Sequence, residues 1–64
     1  MYKIYTRLGE NDSWSVVIDV AASSRKAVKV ERIFMNEKEV NAFKTTALKN
    51  TAEENIMVEE MVDG

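Results

Sequence analysis

Apolar and polar residues alternate along several stretches of this chain and recur at helical spacing in one. The clearest alternation runs from Trp14 to Val20. Trp14, Val16, Ile18 and Val20 fall on one face, and Ser15, Val17 and Asp19 on the other. A period of two marks a strand with one face buried, and β-branched and aromatic residues favour that state. The stretch is expected to be the central strand, with Trp14 in the core. Tyr2 to Leu8 alternates in the same way and predicts a first strand with Ile4 and Leu8 inward and Lys3, Tyr5 and Arg7 outward. Between the two lies Gly9-Glu10-Asn11-Asp12-Ser13, a short run of turn formers that implies an antiparallel hairpin. Glu10, Asn11 and Asp12 are not an EF-hand loop, which needs about twelve residues and a closing Glu.

Ala27 to Met35 supports two readings. As a strand over 27–34, Val28 and Val30 alternate with Lys29 and Glu31, and Arg32 breaks the pattern in a way a bulge absorbs. As a helix over 24–35, Ser23 or Ser24 is the N-cap and Ala27, Val30 and Phe34 form the buried stripe. We adopt the strand, with the helix as the alternative. Next, Asn36 stands three residues before Glu39, as in a capping box with Asn in place of Ser or Thr. Glu37 and Glu39 at the start and Lys49 at the end suit the helix dipole. Val40, Phe43, Ala47 and Leu48 give the stripe of a helix from 37 to about 50. Ile56 to Val62 predicts a last strand, with Ile56, Val58, Glu60 and Val62 on one face and Met57, Glu59 and Met61 on the other. Its carboxylates suit a sheet edge.

The predicted whole is one α+β domain over 1–64, β-β-β-α-β: an antiparallel meander, one helix on its apolar face and a C-terminal returning strand. With 24–35 helical it becomes β-β-α-α-β. The strands on either side of the helix run parallel if they share a sheet.

Length bounds this picture. A chain of 64 residues buries only about 60% of the surface it exposes when unfolded. Small domains often add a disulfide, a metal or a second subunit. With no Cys and no His, disulfides and thiolate or imidazole metal sites are excluded, so a homodimer is the expected support. The same absences remove the Ser-His-Asp triad, the Cys nucleophile and the imidazole base. The expectation is a protein that is not an enzyme and uses no cofactor and no metal. No apolar run approaches the roughly 18–20 residues of a membrane span. The N-terminus shows no signal-peptide core, so a soluble, cytoplasmic protein is expected.

The net charge of −2 is unevenly placed: residues 1–20 carry −1, residues 21–50 carry +4 and residues 51–64 carry −5. Basic middle and acidic tail either neutralise each other within the fold or form opposed surface patches. Three surface features follow. Lys3, Tyr5 and Arg7 place an aromatic between cations, as on single-strand nucleic-acid platforms, but a pattern of three residues with no stacking partner reads as an ordinary solvated face. Arg25, Lys26, Lys29 and Arg32 are the candidate nucleic-acid contacts, although a pI near 5.0 is unusual for that role. Met57, Glu59, Glu60 and Met61 are the candidate protein-binding set, since methionine adapts to irregular surfaces and an edge strand can pair with a partner's sheet.

The strand-into-helix junction Arg32-Ile33-Phe34-Met35-Asn36-Glu37-Lys38-Glu39-Val40 and the acidic closing strand Ile56 to Asp63 give a layout that resembles very small α+β accessory proteins of bacteriophages and other mobile elements. These include antitoxins and anti-CRISPR inhibitors. The resemblance is one of architecture, without a diagnostic motif, and transfers no residue role. It implies a non-enzymatic inhibitor or antitoxin that blocks a larger host protein, here through the acidic edge. The alternative is a small nucleic-acid-binding or transcription-regulating protein using the basic 25–32 segment.

Overall fold

The structure, a computed structural model, describes residues 1–22 and 25–62. Ser23 and Ser24, the caps of the helical reading, and Asp63 of the acidic tail lie outside the described residues. The chain is α+β, with antiparallel strands and one helix. Its elements are β1 (Tyr2–Thr6), β2 (Ser15–Val16), β3 (Ile18–Ala22), β4 (Ala27–Glu31), α1 (Glu37–Thr46), a 3-10 turn (Glu53–Asn55) and β5 (Ile56–Glu60). Since β2 and β3 are one run of chain bent at Val17, the order is the expected β-β-β-α-β. Ala27–Glu31 is a strand, so the helical alternative for 24–35 is excluded.

The centre of the fold is β1, not the stretch from Trp14 to Val20. In the sheet β2-β1-β5, β1 is paired on both edges. Val58 lies opposite Ile4 on one side; on the other, Val16 lies opposite Tyr5 and Phe34 forms a bridge with Tyr2. Val17 is the point of departure. Its N–H donates to the Ile4 carbonyl at 2.8 Å, while its own carbonyl accepts from Arg32 N–H at 2.9 Å. One peptide group thus belongs to the three-stranded body and the next to the two-stranded ribbon of β3 and β4.

This bend inverts the expected faces. Ile4, Phe34 and Val40 form the buried core, with Tyr2, Val17, Phe43, Leu48 and Ile56 against it. Burying each of the three contributes roughly 1.5–3 kcal/mol. Val17 faces this core because it pairs with Ile4. Trp14 and Val16, expected inside, lie with Tyr5 on the open side of the sheet. There the Arg7 guanidinium stacks 4.5 Å from the centre of the Trp14 ring. Leu8, also expected inside, is 95% exposed. The β1 ladder closes with Arg7 N–H on the Asn55 carbonyl, and the turn that joins Asp12 N–H to the Gly9 carbonyl follows, leaving Leu8 past the end of the sheet.

The helix start is as expected. Asn36 Oδ1 accepts from Glu39 N–H at 3.0 Å, and Glu39 Oε2 accepts from Met35 N–H at 2.7 Å. The reciprocal bond reaches one residue further back than in the usual box. The helix ends at Thr46 rather than near 50. Thr45 and Thr46 return their hydroxyls to carbonyls one turn back, which weakens helix continuation, and Leu48 N–H bonds to Phe43 O as the chain unwinds. Phe34 and Phe43 meet edge to face at 5.1 Å, and the Arg32 guanidinium lies about 5 Å from both ring centres. This arrangement explains the break in alternation at Arg32. β4 ends at Glu31, short of the expected 34, and Phe34 pairs with β1 instead. Phe34 and β5 therefore flank β1 and run parallel to each other with β1 between them.

Candidate functional site

Two surfaces stand out, on opposite edges of β1. The first is β5. Met61 N–H donates to the Met1 carbonyl at 2.7 Å, and Arg7 N–H to the Asn55 carbonyl at 3.1 Å. These bonds fix the phase of the ladder, because backbone groups alternate in direction along an antiparallel pair. Met57 and Glu59 bond inward to β1, and Val58 and Glu60 turn their N–H and C=O outward. No further strand lies beyond β5 among the described residues.

A groove open to solvent runs between this edge and α1. It consists of two depressions of about 320 and 490 Å³ that share Asn41 and Lys44. Val40 and Val58 line the first, Leu48 and Ile56 the second. The groove holds cations as well as acids. Lys44 Nζ is 2.8 Å from Glu53 Oε1, an ion pair that ties the basic middle to the acidic tail, and Lys49 stands nearby. Glu37 and Glu53 balance these two lysines within the groove, and the exposed Glu54, Glu59 and Glu60 lie outside it, along β5 and the turn before it.

The four residues expected to bind protein share this edge but not one face. Met57 and Glu59 lie on the open side, opposite Tyr5 and Lys3, where the Tyr5 hydroxyl donates to Glu59 Oε1 at 3.4 Å. Glu60 is on the helix side, opposite Tyr2. Met61 is half-buried. Partial burial, the charges of Glu37 and Glu60, and a hydrogen bond to Glu37 hold the Tyr2 hydroxyl above its usual pKa of 10.0. Val58, whose backbone is the free edge itself, was not among the sequence candidates. Its signal was faint: an apolar residue flanked by Met57 and Glu59 looks like any inward-facing strand position.

The second surface is the β3–β4 arm. Ile18 pairs with Glu31, Val20 with Lys29 and Val30 with Asp19, so one face carries Ile18 and Val20 and the other Val28 and Val30. All four side chains are exposed, from 41% at Val28 and Val30 to 59% at Val20. The arm carries three of the four candidate nucleic-acid residues: Lys29 in β4, and Arg25 and Lys26 in the connection between the strands. Arg32 is separated from them over the phenylalanine rings. At the root of the arm, Lys3 Nζ meets Glu31 Oε2 at 2.8 Å, and this bond raises the Lys3 pKa above its usual 10.5. The arm was missed because Ile18 and Val20 look like core until the single helix is seen to cover only the β1 region.

The open-face set of Lys3, Tyr5 and Arg7 does come together, but both cations are engaged. Lys3 is held by Glu31. Arg7 is bonded to Asn55 Oδ1 and the Glu54 carbonyl, both at 3.1 Å, as well as stacked on Trp14. Among the described residues, no group of three or more carboxylates is placed to hold a metal ion. No described helix is long and apolar enough to cross a membrane. No family model matches the sequence, no curated protein matches it, and no solved structure matches the fold.

Proposed function

We propose that this chain is a non-enzymatic protein-binding module that takes an extended segment of a larger protein onto the β5 edge as an added strand. The observation that carries the reading is the outward backbone of Val58 and Glu60 beside the groove along α1. Main-chain bonds on such an edge supply affinity, and alternate side chains entering a neighbouring groove supply specificity. The carboxylates of Glu54, Glu59 and Glu60 along the edge favour a segment that alternates apolar and basic residues. Blocking a host protein in the cytoplasm, as the resemblance to small phage-encoded inhibitors and antitoxins implies, is a use that fits this surface. The nucleic-acid reading is left with Arg25, Lys26 and Lys29 alone.

The test uses backbone substitution. Val58→Pro removes an outward N–H and leaves the β1–β5 bonds in place, a substitution that edge strands accept. Capture of the partner from host lysate should be lost in Val58→Pro and in the Glu59→Lys/Glu60→Lys pair, with the far-ultraviolet spectrum retained. Amide exchange gives the direct signature. The Val58 and Glu60 amides should exchange fast in the free chain and slow down in the complex, while Met57 and Glu59 are slow in both. Unchanged Val58 exchange in a saturated complex would rule the edge out as the site.

A further inference from the structure

We infer that the β3–β4 arm of a second copy of this chain docks on the β5 edge, so that two molecules exchange arms in a closed dimer. The inference rests on β5 being the binding edge and names one occupant for it. The apolar groove lining and the carboxylates along β5 suit an extended segment alternating apolar and basic residues, and the chain carries one: Val28-Lys29-Val30 in β4, with Arg25 and Lys26 just before it. The charges are complementary, since Arg25, Lys26 and Lys29 outweigh Asp19 in the arm, while Glu54, Glu59 and Glu60 lie along β5 and the turn before it. Glu31, the acid of β4, is already neutralised by Lys3 at 2.8 Å.

The ladder also selects which edge of the arm is offered. Arg32 N–H bonds to the Val17 carbonyl, so alternation directs Asp19 and Val30 towards each other and turns Val20 and Lys29 outward. On the β3 side, the Val20 N–H is already occupied by Asp19 Oδ1 at 2.9 Å. On the β4 side, the backbone of Lys29 faces outward beyond the ladder. The arm cannot satisfy its own chain's edge. It leaves from the β2 side of β1, while β5 lies on the opposite side. A second copy can satisfy it, and a two-fold axis makes the contact twice. Hydrogen bonds from both arms would then supplement a core that, among the described residues, has Ile4, Phe34 and Val40 as its buried members.

The experiment is sedimentation equilibrium on the full chain over a range of concentrations, with two charge-reversed variants. Arg25→Glu/Lys29→Glu makes the arm acidic; Glu59→Lys/Glu60→Lys makes the edge basic. Each alone should weaken self-association by roughly tenfold or more, the scale of close interfacial charge pairs. Mixed in equal amounts, they should form a heterodimer in native mass spectra, because in that pair both arm-to-edge contacts are complementary again. The wild-type dimer should also weaken as salt rises.

A wild-type chain that stays monomeric at every concentration would overturn the inference. So would self-association that the edge variant leaves intact, or a mixture that gives no heterodimer. None of those results touches the reading of β5 as a binding edge, which is decided separately by Val58 and Glu60 amide exchange with a captured partner.

Discussion

Ile4 in the body and Val20 in the arm occupy the middle of two five-residue strands of similar alternation, yet Ile4 has no exposed surface and Val20 is 59% exposed. Sequence pattern does not separate them; cover does. A single ten-residue helix presents Val40 and Phe43 to one side of β1, and that side receives Phe34, Val17 and Ile56 from the flanking segments. Among the described residues, nothing comparable reaches the arm. Its two strands share one ladder, with apolar side chains in the open on both faces. Isolated two-stranded ribbons are at best marginally stable in water. The body therefore holds the fold, and the arm is surface that the fold presents.

The largest effect should separate the two regions outright. Ile4→Ala is expected to cost about 2–5 kcal/mol, enough to leave a chain of this size largely unfolded, as measured by urea denaturation. Within the body, Asn36→Ala removes the acceptor for Glu39 N–H and should cost about 1 kcal/mol, with Asn36→Asp retaining most of the stability.

Alkali should weaken both the body, at Tyr2, and its join to the arm, at Lys3. Lys3 and Tyr2 both have pKa values raised in the folded chain, so the fold holds their protons more tightly than the unfolded chain does. That stability is complete below the usual values of 10.0 and 10.5 and is lost as pH climbs through the raised ones. Denaturation followed from pH 8 upwards should show stability falling from about pH 10, and Tyr2→Phe should remove the tyrosine's share. The smallest effect belongs to the arm, where Val20→Thr should change stability by no more than about 0.5 kcal/mol. A loss as large as that of Ile4→Ala would mean that the arm is buried in solution, as in the exchanged dimer.

How much was legible beforehand follows the same division. The cap at Asn36, the turn at Gly9 to Ser13 and the start of the acidic last strand at Ile56 each have a local cause, and each is where the pattern placed it, although that strand ends at Glu60 rather than at the expected Val62. The buried face of the second strand was not legible. Val16 and Val17 are adjacent and both apolar, so alternation fits either phase, and a shift of one residue exchanges the faces. The choice is made by Ile4, twelve positions from the nearer of them, through a bond to Val17. At the candidate site, the charges of Glu59 and Glu60 announced an edge. The direction of the Val58 backbone depends on pairing with β1, which no local pattern contains.

Val17 and Phe34 bring out one more property of the chain. Val17 stands opposite Ile4 and Phe34 opposite Tyr2, on the same side of β1 and in the same direction, with only Lys3 between. If residues 18–32 were excised and Val17 joined to Ile33, the run Ser15-Val16-Val17-Ile33-Phe34 would lie against Thr6 to Tyr2 as one uninterrupted strand, in register. The arm is thus spliced into a strand as a cassette is set into a frame. The shortened chain should keep the amide spectrum of β1 and β5. Other hairpins, of other sequence and reach, could be grafted at the same junction without redrawing the body that carries them.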